Sequence, residues 1–327
     1  MKTYLKLTAL LTILCWSQAS MAQQFPQRPV RVIVPFAAGG LVDTLARTIG
    51  SQFQASTGQP MVVDTRPGGS SIIGMTACAK APPDGYTLCF TVADSLSYNA
   101  ALFSDLPYAP DSDFTPILNL AWSNTNLIVA NAKAPYNSFR ELIAYAKANP
   151  GKVNWATWGP ASLPDVYLRW INRVASTDMT AIPYKGAGAG NPAVLSGEAD
   201  VTYMGFGLAG PLMKSGKLKA LISLGERRSS YVPELPSLAE EGADPGLKTY
   251  FAAFAPARTP VAVANRVNEI LTSSINSPKI QDFYKTFALE FIDNTPEQFA
   301  SFARQDRENA LRVFRTIGIK PSSSPTQ

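Results

Sequence analysis

Val30-Arg31-Val32-Ile33-Val34-Pro35-Phe36-Ala37-Ala38-Gly39-Gly40-Leu41-Val42-Asp43 is the stretch on which the fold turns. Val30–Pro35 is an apolar run rich in β-branched residues, the pattern of a strand buried on both faces. Gly39-Gly40 makes a tight turn, and a helical pattern follows from Leu41 to about Gln54 with Asp43 at its start. Backbone N–H groups left free at such a turn point outward and favour an anion. Ligands of open α/β sheets also gather at the carboxyl ends of strands. Phe36, Ala37, Ala38 and Gly39 are therefore candidate binding residues, although the same sequence also serves as a plain packing turn. Asp43 fits a helix-start residue that stabilises the dipole better than a catalytic carboxylate.

Outward from this unit, strand and helix signals alternate almost to the end. Met61–Asp64 predicts a second strand, and Arg66-Pro67-Gly68-Gly69 a turn into the next helix. Pro82-Pro83-Asp84-Gly85 is a stop before a strand at Tyr86–Val92. Leu127–Ala130, Val153–Thr157, Val201–Met204, Lys219–Leu224 and Tyr250–Ala255 predict further strands. Ser138-Phe139-Arg140-Glu141 is a capping box, and Asn149-Pro150-Gly151 ends its helix. Thr259-Pro260 and Thr295-Pro296-Glu297-Gln298 open two helices near the end. Ser322 to Gln327 is expected to be disordered. The alternation implies an α/β protein with mostly parallel sheets covered on both faces. With no long linker, two domains would have to be joined through ordered strands.

The first residues and the composition limit the setting. Lys2 and Lys6, the apolar run Leu7–Trp16 and Ser20-Met21-Ala22 form a charged, an apolar and a small-residue segment, as in a leader cleaved after Ala22. The apolar run falls short of the roughly 20 residues a bilayer crossing needs. Removing 22 of the 327 residues leaves 305, and losing two lysines lowers the net charge from +5 to +3. No block of basic residues tracks phosphates or a membrane surface, so nucleic acid is not an expected partner. The chain has no histidine. That excludes Ser-His-Asp and Cys-His catalysis and histidine metal sites. Only Cys78 and Cys89 follow the leader, too few for a thiolate zinc site. They are open to two readings, a disulfide closing a short loop or two separately buried thiols. No metal or cofactor is expected.

Trp158-Gly159-Pro160-Ala161-Ser162 follows the strand Val153–Thr157 and forms a second candidate cradle. Here Ser162 either donates to a carboxylate or caps the next helix, capping being the commoner role. Trp122, Trp155, Trp158, Tyr203 and Phe206 lie near predicted strand ends; one or two could line a cleft as a flat apolar wall. Trp158, Gly159, Ala161, Ser162 and Tyr203, with Ser95 after the third strand, complete the candidate set. Gly205-Phe206-Gly207-Leu208-Ala209-Gly210 matches the dinucleotide pattern, with Glu226 about twenty residues on. Its depth in the chain and the short helix before Gly216 count against a cofactor site.

Taken in order, the motifs resemble one family. Gln27-Arg28-Pro29-Val30-Arg31-Val32-Ile33-Val34-Pro35-Phe36, with Gly39-Gly40 and Asp43-Ala46-Arg47, looks like the first signature of the tripartite tricarboxylate transporter receptors, also called the Bug family of periplasmic binding proteins. The likeness continues through Arg66-Pro67-Gly68-Gly69, Ala81–Leu88, Asp113-Phe114-Thr115-Pro116, Pro183-Tyr184-Lys185-Gly186, Gly216–Leu221 and Phe254-Ala255-Pro256-Ala257. It implies a two-domain Venus-flytrap fold, type II-like, with strand crossovers as hinge. Residues 23–123 with 250–327 would form one domain and 124–249 the other. It also implies a carboxylate gripped by backbone amides and bridging waters, and a monomeric receptor that serves a membrane permease. The second loop departs from the family pattern. A Ser/Gly-rich stretch followed by His-Leu is usual there, whereas Trp158, Pro160 and Leu163-Pro164-Asp165 stand here. The tryptophans and this departure point to an aromatic or otherwise apolar-bodied carboxylate rather than a citrate-like acid. A periplasmic sensor for a signalling receptor, and a secreted enzyme using the Gly205–Gly210 segment for a nucleotide, are the alternatives.

Overall fold

The computed structural model of the chain describes residues 25–123, 125–159, 162–184 and 187–325. The expected leader and its cleavage point after Ala22 lie outside these residues. Two five-stranded sheets carry the fold. The first contains β1 (Val30–Val34), β2 (Met61–Thr65), β3 (Thr87–Val92), β4 (Phe114–Trp122) and β10 (Tyr250–Pro256), ordered β2-β1-β3-β10-β4. The second contains β5 (Asn126–Asn131), β6 (Asn154–Thr157), β7 (Thr180–Pro183), β8 (Val201–Gly205) and β9 (Leu218–Leu224), ordered β7-β6-β8-β5-β9. In each sheet one strand opposes its two neighbours: β10 against β3 and β4, and β5 against β8 and β9. These are the two strands that arrive from the other sheet. The chain leaves the first sheet by β4, enters the second by β5, leaves by β9 and returns by β10.

The crossovers touch. Ser123 N–H donates to Thr249 O at 2.9 Å, and the hydroxyls of Thr125 and Ser229 share a hydrogen bond of 2.6 Å. Trp122 and Glu290 exchange backbone bonds of 2.7 and 2.9 Å. Glu290 also faces Arg227 at 3.7 Å.

The helices are α1 (Leu41–Thr57), α2 (Ile72–Ala79), α3 (Asn99–Leu102), α4 (Phe139–Ala148), α5 (Leu163–Ala175), α6 (Ala187–Ser196), α7 (Phe206–Lys214), α8 (Val261–Ile275), α9 (Pro278–Phe287) and α10 (Pro296–Thr316). A π-helical turn, Asp94–Tyr98, precedes α3. β1 is buried on both faces, as its composition requires. Val30, Val32 and Val34 join Leu45, Ile49 and Phe53 of α1 in one core, while Ile33 joins Ile72 and Met75 of α2 in another. Gly58, in the left-handed conformation at φ 74°, ends α1. Thr295 and Gln298 form the full reciprocal capping box of α10. At α4 the box is looser. Ser138 accepts the Glu141 N–H at 3.2 Å, but the Glu141 carboxylate accepts from Asn137.

Three features go beyond the sequence expectations. β4 carries Pro116 and was not expected as a strand; it lies at the sheet edge, with register shifts flanking Ile117 and Leu120 that absorb the proline. Cys78 and Cys89 form the disulfide rather than two separate thiols, tying α2 to β3 with their Cα atoms 6.1 Å apart. The start of the final segment is paired, not disordered. Ser322 N–H donates to Leu102 O at 2.9 Å, and Ser104 N–H donates to Ser322 O at 3.0 Å.

Candidate ligand-binding site

The carboxyl ends of β1, β2 and β3 in one domain and of β6 in the other border a cleft of about 790 Å³. That volume is typical of small-molecule sites. From the loop after β1, Phe36 and Ala37 line the cleft, whereas Ala38 and Gly39 do not. Gly39 N–H donates to Asp43 Oδ2 at 2.9 Å, and Gly40 N–H to Ala37 O at 3.3 Å. Asp43 is buried at the start of α1 and paired with Arg47 at 2.9 Å. The Arg47 hydrogen bond outweighs burial and holds this carboxyl below its ordinary range. The open donors of the loop are thus the N–H groups of Ala37 and Ala38, which meet no acceptor among the described residues.

The loop after β2 borders the cleft through Pro67, Gly68, Ser70 and Ser71. Residues 68–71 all have positive φ, with Ser70 at 53° and Ser71 at 73°. A side chain in that region costs about 1–3 kcal/mol, so the surroundings must hold it there. Asn99 Nδ2 does so by donating to Ser70 O at 2.8 Å. Gly74, one turn into α2, lets the helix abut the first loop. A Cβ there would stand 2.6 Å from Pro35 Cβ and 2.8 Å from Arg66 O.

After β3 the chain enters the π-helical turn, in which Asn99 N–H bonds to Asp94 O. Such turns recur at functional sites. Asp94 and Tyr98 line the cleft. Burial pushes the Asp94 carboxyl up to about 6; its own backbone N–H opposes this, and the charge of Asp306 adds to it. Ser95 lies beneath the floor rather than on it. Fully buried, its hydroxyl accepts from Thr91 at 2.6 Å and its carbonyl from the Tyr108 hydroxyl.

The second domain contributes Trp158, Ser162, Leu163, Asp165 and Arg169. Trp158 packs edge-on against Tyr203 with centroids 5.5 Å apart, and Tyr203 lies 5.9 Å from Tyr167. Tyr203 therefore backs the tryptophan from the core. Ser162 occupies the N-cap position of α5 without capping it. Its hydroxyl donates to Gly159 O at 2.7 Å and accepts the Trp158 N–H at 3.2 Å, which ties the loop to itself. Gly159 lies in this tied loop, outside the cleft lining, and Ala161 is outside the described residues. Of the other aromatic candidates, Trp155 is fully buried, Trp122 packs 4.6 Å from Phe302, and Phe206 packs 5.4 Å from Tyr231. The Gly205–Gly210 segment opens α7, where Gly207 is closed off by α9. A Cβ there would meet Phe287 at 3.2 Å.

A sheet-end cleft with open amides, an aromatic wall and no nucleophile–base pair is built for binding. The model of the family described as "Tripartite tricarboxylate transporter family receptor" matches residues 45–319. This chain belongs to that family. The solved periplasmic binding protein BugD superposes on this receptor with a TM-score of 0.77 at 27% identity, covering 91% of this chain and 100% of that one. MatC from Rhodopseudomonas palustris, solved with bound malate, gives 0.76 at 28%, covering 88% and 99%. Another R. palustris protein, solved with adipate, gives 0.80 at 26%, covering 91% and 100%. The family and these neighbours are periplasmic binding proteins, not enzymes, and the receptor has their two-domain fold. No helix among its described residues is long and apolar enough to cross a membrane.

The sequence reading passed over four charged residues of the receptor's cleft: Asp94, Asp165, Arg169 and Lys320. Asp94 was one residue from being found. It follows a strand end, as Ser95 does, but neighbours on a helical turn point in different directions. Asp165 and Arg169 carry the i, i+4 signature of one helix face and pair at 2.9 Å. Lys320 gave no local signal, because it reaches the cleft through the pairing of Ser322 with the Leu102–Ser104 segment.

Proposed function

We propose that the protein is an exported receptor that captures a small carboxylate with an aromatic or apolar body and delivers it to a tripartite tricarboxylate-type membrane permease. Export would follow cleavage after Ala22, and the receptor would act as a monomer. The single observation that carries the ligand class is the pairing of the open amide at Ala37 with the wall formed by Trp158, across one cleft. Amide donors neutralise a carboxylate, and the indole face covers a flat or apolar remainder. The malate and adipate held by two relatives support an acid as ligand. Those acids are aliphatic, and the aromatic preference rests on this chain's own Trp158.

Capture would proceed by closure. Residues 23–123 with 250–327 act as one domain and 124–249 as the other, turning about the paired crossovers at Ser123–Thr249 and Thr125–Ser229. A ligand touching both walls binds the closed form more tightly than the open one, and that difference shifts the equilibrium.

Thermal unfolding against a panel of aromatic and aliphatic acids tests the reading. A ligand at 100 times its dissociation constant adds about 2.7 kcal/mol, a shift of several degrees for a chain this size. Stabilisation by aromatic acids is the expected result. A response confined to small di- or tricarboxylates would overturn the ligand preference, and no response to any acid would overturn the carboxylate reading.

A further inference from the structure

We propose that Asp94, which lines the same cleft as Trp158, restricts the ligand to carboxylates that also carry a cationic or N–H nitrogen. This rests on the carboxylate-receptor reading above and narrows its ligand class. The argument begins with the charges on the cleft wall. Asp165 and Arg169 neutralise each other at 2.9 Å along one face of α5. Lys320 and Asp94 have no such partner among the described residues. One wall group therefore suits an anion and another suits a donor or a cation, the complement of a zwitterion.

The neighbours of Asp94 cannot relieve it. The Tyr98 hydroxyl is committed to Lys248 O at 2.8 Å, and the Tyr203 hydroxyl faces Thr249 Oγ1 at 3.4 Å. Asp306, whose charge acts on Asp94, has the same sign. Burial already pushes the Asp94 carboxyl up to about 6, so at neutral pH it is largely ionised in surroundings that disfavour the charge. Closing the cleft would remove more water from it. A carboxylate enclosed without a donor must either stay charged at a cost or take up a proton, and at pH 7.5 either route weakens the binding of a ligand that lacks one. A ligand N–H or ammonium supplies a charge-assisted hydrogen bond. Hydrocarbon acids offer Asp94 no donor, and dicarboxylates also add a second negative charge.

Titration calorimetry at pH 7.5 on the full chain freed of its leader tests this with two matched pairs. These are phenylalanine against 3-phenylpropionate, and 4-(aminomethyl)benzoate against 4-methylbenzoate. In at least one pair the nitrogen-bearing acid is expected to bind about tenfold more tightly or better, as a charge-assisted bond implies. In Asp94→Asn the gap should close, chiefly through weaker binding of the nitrogen-bearing acid. Equal binding within both pairs overturns the inference and leaves the carboxylate reading intact. So does a gap that survives Asp94→Asn. Failure of all four acids and of the aliphatic panel overturns both. The wild-type comparison decides the matter even if the variant does not fold.

Discussion

The loop after β1 and the loop after β6 occupy equivalent places, each leaving the carboxyl end of a parallel strand and feeding a helix toward the same cleft. They differ in where their polar groups go. In the first, Asp43 takes the Gly39 amide and leaves those of Ala37 and Ala38 open. In the second, Ser162 bonds both Trp158 N–H and Gly159 O, so the loop closes on itself and turns its indole to the cleft. One loop offers donors that any carboxylate can use; the other offers a shaped apolar surface. The difference separates the grip on a shared chemical group from the choice among its bearers.

Replacing the aromatic wall breaks this division most directly. Trp158→Ala is expected to weaken binding of an aromatic acid about 100-fold, in the range of a buried aromatic anchor. Binding of a short aliphatic acid should change by less than about threefold. Calorimetry with one acid of each kind reads both numbers. An equal loss for the two would mean that the second loop holds the carboxylate rather than the body.

The contrast between exposed and enclosed groups extends to two acids, one on the cleft wall and one beneath it. Asp94 lines the cavity, whereas Asp306 of α10 is only 4% exposed. Among the described residues no donor meets either Asp306 oxygen in good geometry, although Ser97, Tyr250 and the Lys248 backbone stand close enough to offset part of the burial. Burial dominates and raises this carboxyl to about 6. The folded protein therefore binds this proton more tightly than the unfolded chain, whose carboxyl titrates near 3.9. The stability so gained is complete below about pH 3.9 and is lost as pH rises through 6. From the two values, the loss is on the order of 3 kcal/mol. Asp306→Asn should remove that share of the pH dependence and leave the variant more stable than wild type at pH 8. Denaturant melts at pH 4 and pH 8 check it; an unchanged slope with pH would mean that the carboxyl is solvated or paired.

Much of the fold was legible because it rests on local patterns. β1 announces itself through Val30–Val34, and α10 through Thr295 and Gln298. β4 was hidden because Pro116 argues against a strand unless the strand is known to lie at an edge, which is a property of the sheet. The site was half legible for the same reason. Phe36, Ala37, Trp158 and Ser162 sit next to strand ends and could be named from sequence. Asp94 and Lys320 enter through a π-helical turn and a paired tail, neither of which the linear chain displays; Arg169 carries a helix-face spacing, but nothing local shows that face turned to the cleft. The Gly205–Gly210 pattern, argued against on the sequence, has a packing reason. Gly207 is small because α9 brings Phe287 against it, not because a phosphate must approach.

The smallest expected effect concerns how tightly the second loop is tied. Ser162→Ala removes two hydrogen bonds, one to a carbonyl and one from an amide, both at the cleft margin where water can take their place. The net loss in stability should therefore stay near 1 kcal/mol rather than the sum of two buried bonds. The effect on binding should follow Trp158: a severalfold weakening for aromatic acids, none for short aliphatic ones, and a sign that the indole is held by the loop rather than by Tyr203 alone. If affinity for both kinds of acid falls together, Ser162 reaches the ligand carboxylate directly and the division between the two loops is not as drawn. If neither falls while stability drops, the edge contact with Tyr203 is enough to hold Trp158, and the hydroxyl serves folding alone.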